Sequence, residues 1–134
     1  MNSKVASSDV INLTEGLIDE IMPYYEAFVK CVATPDYNFN ELLELVLEMR
    51  AELTLLNKRA GDIPASDYNT KEFIEAAQLL VFDVYNIAEH TIMHSNYTHQ
   101  PVATKKRGMD WNFEECRKSL NSYLEAKNNY NSRG

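Results

Sequence analysis

The chain has 134 residues, 45% of them apolar and 25% charged, which suits one folded unit able to bury a core without staples. Its formal net charge of −7 and sequence pI of about 4.9 argue against a nucleic-acid binder, because such affinity comes largely from Lys and Arg neutralising phosphates. No apolar run approaches the roughly 20 residues that cross a bilayer.

The first segment spans 8–33. Val10, Leu13, Leu17, Ile21, Tyr24, Phe28 and Cys31 recur at steps of three and four, the period of one helix face. Ser7 or Ser8 is the expected cap. Pro23 falls opposite that face and is expected to kink the helix without ending it.

A second helix is predicted over 39–60. Asn38 and Glu41 have the spacing of a capping box. Lys58 and Arg59 complement the negative end of the helix dipole, and Gly61 is read as a left-handed cap. Leu42, Leu45, Val46, Met49, Leu53 and Leu56 form its apolar arc. Beside that arc Glu41, Glu44, Glu48 and Glu52 fall within about 80°, at about 100° per residue. Like charges at i,i+4 weaken a helix, so a stripe of this kind is matched best by a basic partner.

The third helix is predicted over 70–96, with Asn69 and Glu72 as a second capping box. Phe73, Ala77, Leu80, Val81, Val84, Ile87, Ala88 and Ile92 give it the widest apolar arc, so it is expected to be the most buried. Leu79, Phe82 and Met93 lie outside the arc. The stretch 98–109, with Lys105, Lys106, Arg107 and Gly108, reads as one longer loop. A fourth helix over 111–128 follows, capped by Asp110, with Phe113, Cys116, Leu120, Tyr123 and Leu124 inward and a frayed end after 128.

No alternating run bounded by hairpin residues occurs, so strands are not expected. The fold class is all-α: one antiparallel four-helix bundle over 1–134 with short connectors and one longer loop between helices 3 and 4.

Chemistry-bearing patterns are sparse. His90 and His94 stand one turn apart, a metal-compatible spacing, with Asp83 further back. They fall on the polar side, and no apolar arc elsewhere contains Asp or Glu. They are therefore read as surface histidines, with metal binding as the alternative function. Glu41/Glu44 and Glu72/Glu75 are ExxE pairs, but no ExxD follows on the next helix to complete a magnesium set. No arginine stands four to seven residues before a histidine, and no Gly-x-Ser-x-Gly or glycine-rich phosphate loop occurs. Cys31 and Cys116 lie in no CxxC pair; each is read as a small buried hydrophobe, with a disulfide between helices 1 and 4 left open. Met1 to Ser8 is short and polar, unlike a signal peptide, and a cytoplasmic location is expected.

These patterns predict a non-catalytic interaction protein without a cofactor. Its partner is expected to be a basic protein (a toxin, a nucleic-acid enzyme or an effector), as for an inhibitor, immunity protein, antitoxin or adaptor. The contact is assigned to Glu41, Glu44, Glu48 and Glu52, with Tyr37 and Tyr68 as aromatic anchors. The third reading is a self-associating scaffold, a homodimer that covers Leu43, Leu47, Leu79, Phe82 and Met93.

Overall fold

The computed structural model describes residues 3–64 and 68–133. They form four helices: α1 (Ser3–Cys31), α2 (Phe39–Gly61), α3 (Tyr68–Ser95) and α4 (Val102–Arg133). Contacts between helices run in opposite chain order. Arg50 and Ala60 on α2 meet Glu89 and Gln78 on α3. Asp83, His90 and Thr91 on α3 meet Ser119, Asn112 and Met109 on α4. That is the order of antiparallel neighbours in a bundle. α3 packs most extensively, against α4 and α2. α1 leans on α2 and α3, and comes closer to α3 than α2 comes to α4.

One buried core is shared by all four helices. Phe28 of α1, Leu42 and Leu53 of α2, Phe73, Leu80 and Ile87 of α3, and Met109 of α4 are fully enclosed. Removing a core side chain of this size down to alanine costs about 2–5 kcal/mol, so these residues dominate stability. The apolar arcs read for α2 and α3 are the ones buried. α1 is rotated about 50° from its expected face, on the 100° per residue of a helix. Ile11, Thr14, Ile18 and Tyr25 are buried, whereas Leu13 is exposed and Tyr24 and Cys31 are half-buried. The rotation follows from α1 having to cover α3 as well as α2. On α4 Leu124 is likewise exposed rather than inward.

The helix ends differ from expectation in physically legible ways. Asn38 is the N-cap of α2, but not through the expected capping-box bond: its backbone is extended and its side chain accepts from the Asn40 N–H at 2.8 Å, while the Glu41 N–H goes to the Asn38 carbonyl at 3.1 Å. Gly61 is not a left-handed cap. It is the last helical residue, and Asp62 closes the helix in right-handed conformation, its N–H reaching the carbonyls of Lys58 and Arg59 at 3.1 and 3.2 Å. α1 already runs from Ser3, so Ser7 and Ser8 lie inside it, and it continues through the exposed Pro23. Asn69 falls inside α3, not at a cap.

The largest departure is α4. The stretch read as a long loop is helix from Val102, and the α3–α4 connector is only 96–101. Pro101 ends the connector and its carbonyl accepts from the N–H groups of Thr104 and Lys105 at 3.0 and 3.1 Å. Ala103, Lys105, Lys106 and Arg107 are good helix formers and carry the helix past Gly108 into Asp110, which is therefore not a cap. Cations near a helix N-terminus oppose its dipole. Here they have aromatic roofs to cover instead: Lys106 Nζ lies 4.4 Å from the Tyr37 ring centroid and Lys105 Nζ lies 5.6 Å from that of Phe39. Lys106 also donates to the Pro35 carbonyl at 3.2 Å. At the far end α4 does not fray after 128 but runs to Arg133, where Tyr130 stacks on Phe73 with ring centroids 5.8 Å apart.

Candidate interaction surface

Glu41, Glu44, Glu48 and Glu52 are all exposed along one flank of α2, the flank nearer α1. Among the described residues none of the four forms an ion pair. By contrast Glu15, Glu20, Glu89, Glu114 and Glu115 each hold a Lys or Arg. Arg59 lies on the line of the glutamate stripe two turns beyond its end, but turns away to Glu20 of α1 at 2.7 Å. The hydrogen bond from Arg59 holds the Glu20 carboxyl below its usual value, and the same bond raises Arg59. Arg50 turns to the opposite flank, to Glu89 at 3.0 Å. Both arginines of α2 are thus committed elsewhere, and the stripe is left as a row of uncompensated negative charge. Leu47 and Leu55 are exposed beside it.

The tyrosines behave differently from the glutamates. Tyr37 is only 9% exposed, beneath the Lys106 ammonium, and belongs to the core rather than to an open face. Its hydroxyl is buried with no hydrogen-bond partner among the described residues. Burial, with Asp110 and Cys31 nearby, pushes the phenol up to about 12. Tyr68 opens α3, and its side chain lies outside the described residues.

His90, His94 and Asp83 are half-buried and engage α4, instead of lying on a free polar face. His90 Nδ1 is 3.1 Å from Asn112 Oδ1, and His94 Nδ1 is 3.2 Å from Gln100 Oε1. Each imidazole donates to an amide oxygen there, and Nε2 of His94 lies over Gly108. Asp83 accepts from the buried Ser119 hydroxyl. Loss of solvent raises Asp83 above the ordinary carboxylate range, more than the Ser119 bond lowers it. Asp83 and His90 therefore each have a polar partner on α4, whereas His94 bonds Gln100 of the connector and packs on Gly108 of α4. Among the described residues no three His, Cys, Asp or Glu side chains are grouped to hold a metal ion.

Cys31 and Cys116 are both free thiols. Cys116 is fully buried, and burial with Asp83 nearby pushes its thiol up to about 12; Cys31 is half-buried and also raised, chiefly by burial.

Sequence reasoning misplaced one feature and missed another. Trp111, placed at a helix start by periodicity, stands mid-helix and is 61% exposed. A shallow groove of about 270 Å³ separates α1 from α4, lined by Tyr25, Val29, Val32, Phe113 and Arg117 among others. Both depend on where α4 begins and how α1 is rotated, so the apolar period of each segment alone does not reveal them. No described helix is long and apolar enough to cross a membrane. Compared with protein-family models, curated proteins and solved structures, the chain matches none of them.

Proposed function

We propose that the protein is a non-catalytic binding module whose acidic α2 flank docks a basic protein. The observation that carries this reading is the contrast in pairing on one helix. Among the described residues four exposed glutamates lack cations while both arginines of α2 are bound to Glu20 and Glu89. An uncompensated row of like charge weakens its own helix and speeds encounter with an oppositely charged surface. Exposed Leu55, in the same row, supplies apolar contact once charge has brought the partner in.

A basic toxin, nucleic-acid enzyme or effector fits this chemistry, and the protein would act as its inhibitor or adaptor in a cytoplasmic setting. The reading assigns no catalytic residue and no cofactor. Its test is a matched pair of affinity purifications, with the native chain and with Glu44→Lys/Glu48→Lys. A basic protein retained only by the native chain, and released as salt rises from 0.05 to about 0.5 M, supports it. Equal retention by both chains removes it.

A further inference from the structure

The outer face of α3, between α2 and α4, presents apolar side chains to solvent. Leu79 is 50%, Phe82 46% and Met93 38% exposed. Leu47 of α2 and Trp111 of α4 flank them, exposed by 56% and 61%. Their heights along the bundle follow from the printed contacts. Arg50 meets Glu89, so Leu47 stands near the level of Met93 on the α2 side. His90 meets Asn112, so Trp111 stands near the same level on the α4 side. α3 therefore has Leu79 and Phe82 uncovered toward one end, and a three-helix apolar cluster of Leu47, Met93 and Trp111 toward the other.

We propose that this face pairs with the same face of a second copy, with the two α3 helices antiparallel across a two-fold axis at Asn86. The spacing is self-matching. Leu79 and Met93 each lie seven residues from Asn86, two helical turns at heptad spacing, so the axis places each against its counterpart. At the same time Leu47 of one copy is brought over Phe82 of the other, and Trp111 over Leu79. Phe82 leans toward the α2 side and Leu79 toward the α4 side, on about 100° per residue, which is where those partners arrive.

Charge agrees with this register. Glu72 and Glu75 are exposed at the N-terminal end of α3. At the other end the exposed Arg107 adjoins Gly108, on which His94 packs; its guanidinium bonds only the Thr104 hydroxyl, at 3.1 Å, and has no acidic partner among the described residues. The two-fold sets Arg107 of each copy beside Glu72 and Glu75 of the other. The flank between them is already neutral, since Arg50 and Glu89 pair with each other. Size also suffices. From Glu72 to Met93 α3 runs about 30 Å, and half a helix on either side gives a width of about 20 Å. That is about 600 Å² per copy, somewhat below the roughly 800 Å² of a standard interface and within the range of specific dimers. The glutamate stripe lies on the other flank of α2, outside the pairing, so each dimer would display two stripes.

Sedimentation of the full chain from 1 to 100 µM tests the pairing. A dimer mass that Phe82→Glu converts to monomer, weakening association by on the order of 30-fold or more with helical circular dichroism retained, supports it. Register is tested separately by charge. Glu75→Arg should weaken the dimer and added Arg107→Glu should restore it. In a Cys31→Ser background, Asn86→Cys should oxidise to a covalent dimer. A monomer at 100 µM, a dimer indifferent to Phe82→Glu, or the absence of both the charge rescue and the Asn86→Cys cross-link would overturn the proposal.

Discussion

His94 rests its imidazole directly on Gly108, so that a Cβ at that glycine would lie 2.5 Å from Nε2 and 2.6 Å from Cε1. The contact lets α3 and α4 approach closely and holds the ring where Nδ1 reaches Gln100.

Glycine inside a helix normally costs about 1 kcal/mol relative to alanine, so Gly108→Ala would stabilise α4 were nothing above it. Here the ring must swing away and give up its bond to Gln100. Gly108→Ala in the native chain is expected to be destabilising by about 1 kcal/mol. In a His94→Ala background the same change should stabilise by up to about 1 kcal/mol. Urea unfolding of the four chains gives the coupling directly, and equal effects in both backgrounds would refute the packing account.

Asp83 gives a pH signature with a defined sign. Its folded-state carboxyl is raised above the unfolded value, so between the two values the native state holds more protons. The ionised form therefore lowers stability at neutral pH, and that loss is relieved as pH falls through the raised value. Asp83→Asn keeps an acceptor for Ser119 and removes the charge. The variant should match or exceed the native chain at pH 7, and the difference should vanish once pH falls below the unfolded aspartate value near 3.9. Ser119→Ala should cost about 1 kcal/mol at pH 7 by stripping Asp83 of its donor.

Tyr37 has a ring that contributes and a hydroxyl that does not. Lys106 sits over the ring, while the buried hydroxyl lacks a partner among the described residues. An unsatisfied buried polar group costs about 1–3 kcal/mol, so Tyr37→Phe is expected to raise the melting temperature. Lys106→Met should lower stability by about 1 kcal/mol through loss of the cation–ring contact. A fall in melting temperature for Tyr37→Phe would show that the hydroxyl is satisfied in solution.

The two thiols should separate cleanly under alkylation. With its thiol near 12 and no exposure, Cys116 is expected to stay unmodified by iodoacetamide until the chain unfolds. Cys31 is partly accessible and should react slowly, because burial and Glu41 also raise it. Intact mass should show one adduct in native buffer and two in urea.

What the sequence disclosed follows from which signals are local. The glutamates of α2 are legible because a fixed rotation per residue places them beside a strong apolar arc, and all four are exposed. Asn38 is legible as a cap because the capping contact spans two residues. The start of α4 is not: Gly108 and the basic triplet look like loop, and only the His94 ring above and the Tyr37 and Phe39 faces across the bundle explain why helix persists there. The same holds for His90 and His94, whose polar side turns out to be the side that meets the amides of Asn112 and Gln100. Connector position alone makes Tyr37 look like an exposed anchor, and its burial comes from residues far along the chain.

The lysine roof over Tyr37 and Phe39 also bears on the order of assembly. Those rings lie on or beside the first connector, and the ammonium groups that cover them belong to α4, made after the other three helices. Until α4 leaves the ribosome, α3 lacks the neighbour against which it packs most extensively, and the first hinge stands open. The nascent chain must therefore carry a bare apolar seam until α4 has emerged, and closure of the first hinge waits for that helix.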